Sequence, residues 1–251
     1  MQAMAQTLLA LSVIVGGFPL DAIAQDYVPP NRGLPGRREG GGTRGCWTNS
    51  TVAASPIKLT ALVPAQNFGY TLQAYPTFLV YVPPFFAEKA AGVEFILNDA
   101  QDNEVYRTTF EADNTSGIIR LSLPTDANLP PLEVGKDYHW SFALVCDLAD
   151  PSGNLVVDSW IQRTQPSAEL TAALGRTAAQ DLPALYARSG IWYDAIAQLT
   201  PPQAQPRNAV VLSQWRNLLN SVGLNTIAGT LPPATPNASR TPSAGQSPVR
   251  Q

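Results

Sequence analysis

The sequence predicts a mainly β protein of the α+β class: an immunoglobulin- or fibronectin-like β-sandwich followed by a short tetratricopeptide-like helical module. Three observations predict it. Seven short strand-like runs lie within residues 55–165, separated by turn-forming clusters. The strongest, residues 138–146, keeps period two throughout: Tyr138, Trp140, Phe142, Leu144 and Cys146 share one face, and His139, Ser141, Ala143 and Val145 the other. From Ser167 the apolar spacing changes to i, i+3, i+4 in Ala-, Leu- and Gln-rich sequence, which signals helices.

Residues 1–24 read as a cleavable signal peptide. An apolar run over 8–15 is followed by Ala22 and Ala24, small residues that suit cleavage before Gln25. The run is too short for a lasting membrane span, which takes about 20 apolar residues. No Lys or Arg precedes it. The expected localisation is export: periplasm, outer membrane surface or exterior. No later segment is long and apolar enough for a transmembrane helix.

Residues 25–54 form an arm rich in Gly, Pro and Arg, a composition that resists helix and sheet alike. Arg32, Arg37, Arg38 and Arg44 stand among glycines that leave the backbone bare. Three readings stay open. The arm is a flexible linker, a cap on the sandwich, or an anion- or partner-contacting segment carried by Arg37, Arg38 and Arg44. It lacks the Gly-Lys-Ser/Thr ending of a nucleotide-binding loop and follows no strand.

Within 55–165 the expected strands are residues 59–63, 78–82, 93–97, 104–110, 119–123, 138–146 and 155–161. Residues 98–103 (NDAQDN) make a hairpin link and 150–154 (DPSGN) a turn. Residues 132–138 (LEVGKDY) resemble a tyrosine corner, in which a Tyr hydroxyl bonds back to the upstream backbone. Tyr138 and Trp140 are therefore assigned structural roles. The two cysteines, Cys46 and Cys146, form one disulfide in an oxidising compartment and tie the arm to a central strand. Two unpaired buried thiols are the alternative.

Residues 166–230 form the helical module. Ser167 caps its first helix, Gly175 ends it, and Asp181 with Pro183 marks the next start. Residues 185–196 (LYARSGIWYDAI) resemble the middle of a tetratricopeptide repeat, where a small-residue turn joins two antiparallel helices. A further helix over 208–222 carries Trp215, Leu218 and Leu219. Such stacks need about three repeats to stand alone, and this module is shorter. Its helices therefore dock on the sandwich or on a partner, and Tyr186, Trp192, Tyr193 and Trp215 form the candidate partner face. Residues 231–251, rich in Pro, Ser and Ala, form a disordered tail.

Composition narrows the function. A net charge of -3 lacks the basic surplus that a nucleic-acid binder uses against phosphates. Two cysteines and one histidine cannot make a four-ligand zinc site without carboxylates. His139 sits mid-strand with no Gly-x-Ser-x-Gly elbow in the chain, and reads as an exposed or hydrogen-bonded strand residue. Carboxylates gather in two turns: Asp99, Asp102 and Glu104, and Asp147, Asp150 and Asp158. An EF-hand register from Asp147 fails at Ala149, so both read as solvated hairpin turns. Of the five tryptophans, Trp47 and Trp160 are the plausible surface aromatics and the others read as core. No catalytic residue, cofactor site or metal site is assigned.

Several blocks carry a family resemblance: GRREGGGTRGC (36–46), LTALVP (59–64), YPTFLVYVP (75–83), LEVGKDYHWSFALVCD (132–147), GIWYDAI (190–196) and SVGL (221–224). In this order they resemble a mainly cyanobacterial family of exported proteins known as domain of unknown function 928. The resemblance implies a cyanobacterial exported protein and brings no reaction, cofactor or catalytic residue. The expected function is a non-enzymatic interaction or scaffold protein of the cell envelope, partnered by another envelope or secreted protein. A carbohydrate-binding module and a carboxylate-based hydrolase are the rival readings.

Overall fold

In the computed structural model, which describes residues 26–40, 58–88, 90–112, 116–125, 128–200 and 209–229, the alternating runs become strands of two sheets. The strands are β1 (Thr60–Ala61), β2 (Phe68–Thr71), β3 (Thr77–Val82), β4 (Gly92–Asp99), β5 (Glu104–Phe110), β6 (Gly117–Ser122), β7 (Asp137–Val145) and β8 (Leu155–Arg163). One sheet has the order β1-β3-β6 and is antiparallel. The other has the order β2-β8-β7-β4-β5, antiparallel except where β2 runs parallel to β8.

Register puts the inward positions of neighbouring strands in line. Leu97 and Ser159 both pair with Trp140, and Phe95 and Val157 both pair with Phe142. These side chains meet the other sheet: the Phe78 ring of β3 lies 5.0 Å from Phe95 and 5.2 Å from Trp140. Trp140, Phe142 and Leu144 are fully buried. Burying side chains of this size contributes about 1.5–3 kcal/mol each.

β2 is absent from the sequence expectation. It is four residues long and contains Gly69, so it has too few positions to show a period. Its place is set by pairing of Phe68 with Trp160 and by the helix above it, neither of which is a local signal. β1 is shorter than residues 59–63 suggest.

Six α-helices lie among the described residues: α1 (Pro84–Ala87), α2 (Ala168–Leu174), α3 (Leu182–Arg188), α4 (Trp192–Gln198), α5 (Ala209–Ser221) and α6 (Asn225–Ala228). α1 and α6, of four residues each, are too short for helical periodicity to reveal. Ser167 caps α2, its hydroxyl accepting from the Leu170 N–H at 3.1 Å, and Gly175 is the C-cap. α3 starts after Asp181, whose side chain makes no capping bond. Gly190, at φ +74°, turns the chain from α3 into α4, a left-handed conformation that glycine adopts without steric cost. α4 packs over β2 and β3, and one hydrophobic cluster runs through both sheets and the helices.

Candidate functional site

The seam between helices and sheets is the most heavily built region. The Trp192 indole N–H donates to Leu62 O at 2.9 Å. The Tyr193 hydroxyl accepts from Trp140 Nε1 at 2.7 Å and donates to Trp160 O at 3.1 Å. Burial pushes the Tyr193 phenol above the usual tyrosine range. Asp194 accepts from the Thr71 hydroxyl (2.7 Å), the Leu72 N–H (3.1 Å) and Gln73 Nε2 (3.0 Å). Gly69 lets α4 approach: a methyl there would sit 3.0 Å from Trp192 Cβ and 3.0 Å from Tyr193 Cε2.

This seam corrects the expected partner face. Tyr186, Trp192, Tyr193 and Trp215 are 8%, 0%, 2% and 1% exposed. Trp192 and Tyr193 meet the sheets and the arm residue Tyr27, and all four belong to the chain's own hydrophobic cluster. Of the two covers open to a short helical module, the sandwich or a partner, the structure uses the first.

The arm is the second element. Tyr27 is buried with its ring edge-on to Trp192 at 5.0 Å, and the Val28 N–H donates to Ala187 O. Arg32 pairs with Asp137 and covers the Phe68 ring at 4.7 Å. Arg37 exchanges backbone bonds with Asp158: its N–H donates to the carboxylate, and its carbonyl accepts from the Asp158 N–H. The Arg38 guanidinium donates to Val63 O, Val222 O and Gly223 O. Two of those carbonyls follow α5, where the last turn leaves acceptors without helical partners. Burial lowers the Arg38 pKa from its ordinary value. Arg38 is thus a clasp between sheet and helix end rather than an anion contact. The Arg37 side chain is exposed. Arg44 lies outside the described residues.

On the outer face of the five-stranded sheet, His139 stacks on Trp160 at 4.6 Å, and its Nε2 lies 2.9 Å from Asp158 Oδ2. Trp160 Nε1 donates to Pro35 O at 2.8 Å. The surface Trp160 is therefore covered on one ring face and held at its edge. At the start of β7 the Tyr138 hydroxyl accepts from the Glu133 N–H at 3.1 Å. The half-buried Cys146 follows β7, its N–H donating to Asn154 Oδ1. Cys46 and Trp47, the signal segment 1–24 and the tail 231–251 lie outside the described residues. In the acidic turns, Asp99 accepts from the Gln101 and Asn103 N–H groups, and Asp150 from that of Ser152. Side-chain hydrogen bonds from Asn103 to Asp99 and from Ser152 to Asp150, with these backbone bonds after them, hold both carboxyls below the usual aspartate range. No group of three His, Cys, Asp or Glu gathers at metal-binding range among the described residues.

Two concavities are lined by described residues. A cleft of about 490 Å³ lies between β2, the β8–α2 link, α2 and the α3–α4 turn, with Tyr70, Ser167, Glu169, Leu170 and Ser189 in its walls. A groove of about 460 Å³ runs along β4 and the ends of β5 and β7 beside Leu148, which is 82% exposed. Sequence reasoning missed Asp194, Tyr27 and Tyr70. Asp194 had a signal: a carboxylate flanked on both sides by apolar residues in WYDAI. Tyr27 and Tyr70 had none, because their neighbours come from distant parts of the chain.

The model of the family described as Domain of Unknown Function (DUF928) matches residues 39–231. The match runs from the middle of the arm through both sheets and the six described helices. No curated protein matches the chain. Among solved structures, it is similar to the crystal structure of a β-glucuronidase from Parabacteroides merdae at 10% identity, with a TM-score of 0.27. That alignment covers 69% of this chain and 28% of the glucuronidase. A likeness at that level carries no argument about activity.

Proposed function

We propose that this chain, which belongs to the Domain of Unknown Function (DUF928) family, is an exported, non-enzymatic interaction protein of the cell envelope. The observation that carries this reading is the use made of its only histidine. Histidine is the commonest general acid–base side chain. Here it is stacked on Trp160 and bonded to Asp158, whose other oxygen holds the arm through the Arg37 N–H. The trio fastens the chain to itself.

A scaffold role fits the finer fold assignment. The sheet orders β2-β8-β7-β4-β5 and β1-β3-β6 support an immunoglobulin-like sandwich, with the Tyr138–Glu133 bond as its tyrosine corner. The α3–α4 pair supports a tetratricopeptide-like origin for the helices. Cleavage before Gln25 would place the new terminus two residues from buried Tyr27, and a Cys46–Cys146 bridge would fasten the far end of the arm. With the helical aromatics used inside, the partner surface shifts to the groove beside Leu148. The partner is another envelope or secreted protein.

The test is expression in the native host with a photo-crosslinking residue at Leu148 or, as control, at Val210, which is 51% exposed. The expected result is one envelope protein captured at 148 and not at 210, from mature material that starts at Gln25 and has no free thiol. A monomer with no adduct at 148 overturns the reading. A saccharide-binding role is the second reading, favoured by the mixed lining of the cleft between β2 and α2.

A further inference from the structure

We propose that the cleft between β2 and α2 binds a neutral oligosaccharide. This rests on the saccharide-binding reading and is independent of the partner surface at Leu148.

The argument starts with α2. None of its residues is buried. Its Leu170 and Ala173, one turn apart, are half-buried and line the cleft, and Leu170 also packs against the core. Such a stripe seats a helix on the core, and here its edge also forms one wall of the cleft. The opposite wall is Tyr70 of β2, half-exposed and braced edge-on by Phe68 at 5.1 Å. The volume of about 490 Å³ falls within the roughly 300–1,000 Å³ range of small-molecule sites.

The lining chemistry selects the ligand class. Between the apolar patches stand Thr164, Gln165, Ser167, Glu169 and Ser189: three hydroxyls, one amide and one carboxylate. No Lys, Arg or His lines the cleft among the described residues. A phosphate or sulfate would meet Glu169 with nothing to neutralise it. A purely apolar ligand would strip water from five polar side chains without replacing their bonds. A sugar ring has the matching pattern, with C–H faces for an aromatic ring and hydroxyls at its edge for amides, carboxylates and alcohols. The carboxylate is set to accept. Glu169 lies below the usual glutamate range, through its own backbone N–H first and then the Ser167 hydroxyl. Thr164 is fixed by its N–H bond to Thr71 O, so the β8–α2 link presents its side chains from a held backbone.

The experiment titrates the mature protein with two uncharged probes, cellohexaose and chitohexaose, and with hexalysine as a charged contrast. Amide shifts are followed by nuclear magnetic resonance. The expected result is a saturable shift at Leu170, Ser189 and Ile191 with at least one hexaose, with a dissociation constant on the order of 0.1–1 mM. Tyr70→Ala should weaken it about tenfold, and Glu169→Gln about threefold or more. Glu169 and Ser189 are exposed, so Glu169→Gln and Ser189→Ala decide the matter if Tyr70→Ala fails to fold. Shifts with hexalysine alone, no shift at these amides with either hexaose, or full affinity in the folded variants would overturn the proposal. None of these outcomes alters the crosslink expected at Leu148, so the two readings fail separately.

Discussion

Replacing Asp194 measures how firmly the helices are joined to the sheets. Asp194 is 4% exposed and takes three hydrogen bonds, from Thr71, Leu72 and Gln73, all on the chain leaving β2. No Lys or Arg pairs with it among the described residues. Burial therefore pushes its carboxyl above the usual aspartate range, while the three donors pull the other way. Asp194→Ala leaves the Thr71 hydroxyl and the Leu72 N–H without that acceptor in the seam, while the exposed Gln73 turns its amide to water. At about 1–3 kcal/mol for each orphaned group, less the burial cost of the charge that disappears, the loss is about 2–5 kcal/mol. Asp194→Asn keeps an oxygen for Thr71 and Leu72, and Gln73 can turn its own amide to offer an oxygen to the new NH2. Its cost should stay below about 1.5 kcal/mol. The pH dependence has a fixed sign. A raised folded-state pKa means the native state holds the proton more tightly than the unfolded chain. Stability from this group is full below the ordinary aspartate range and falls as pH rises from there through the folded-state value. The Asn variant lacks that slope. Urea unfolding followed by tryptophan fluorescence, at several values between about pH 4 and 8, measures both effects. An Ala variant within about 1 kcal/mol of the parent, or an Asn variant as damaged as Ala, would refute the reasoning.

Two further substitutions probe the same joint. Gly69→Ala pushes a methyl against Trp192 Cβ, which is fixed to the helix backbone and cannot swing away. The midpoint of unfolding should fall by the equivalent of about 1–3 kcal/mol, and an unchanged midpoint would mean α4 is not seated on β2 as closely as described. Arg38→Ala removes the donor shared by Val63, Val222 and Gly223. It should cost about 1–3 kcal/mol and speed amide exchange in residues 26–40 and 222–229, with Arg38→Lys recovering only part because an ammonium lacks the planar fork. Exchange unchanged in both segments would remove Arg38 from the joint.

The strands that alternate are the ones the sequence makes legible. Residues 138–146 read as a strand because five large side chains repeat every second position, and β7 places Tyr138, Trp140, Phe142 and Leu144 inward as that spacing requires. Ser167 and Gly175 bracket α2 because capping is a local hydrogen-bond problem with few chemical solutions. β2 was illegible because four residues around a glycine have no period, and its partner β8 lies some ninety positions further on. The arm was illegible for a related reason. Its composition shows only that it forms neither helix nor hairpin by itself; its bonds to Asp158, Val222 and Ala187 span more than a hundred residues. The cleft could not be read at all, since Tyr70, Ser167 and Ser189 meet only after the helices dock.

The misplaced partner face shows what periodicity leaves undetermined. An apolar stripe such as Trp192, Tyr193 and Ile196 demands cover, but the demand is the same whether the cover is a second protein or the chain's own sheet. Sheet edges decide between them here. An open edge with unpaired N–H and C=O groups invites pairing by another chain. This chain meets that hazard with its own segments. The arm pairs Arg38 O and Gly40 N with the residues around β1, adding a bridge at Glu39 and Thr60. α4 and the arm residue Leu34 close over β2, through Asp194 and Gln66. β5, at the opposite edge of the larger sheet, carries Arg107 paired with Glu94 and Glu104, charges that discourage a stray strand. Helices and arm are therefore read as covers for one end of the sheets. A second protein would find the most exposed large apolar side chain among the described residues at the other end, where Leu148 stands clear of the β7–β8 turn.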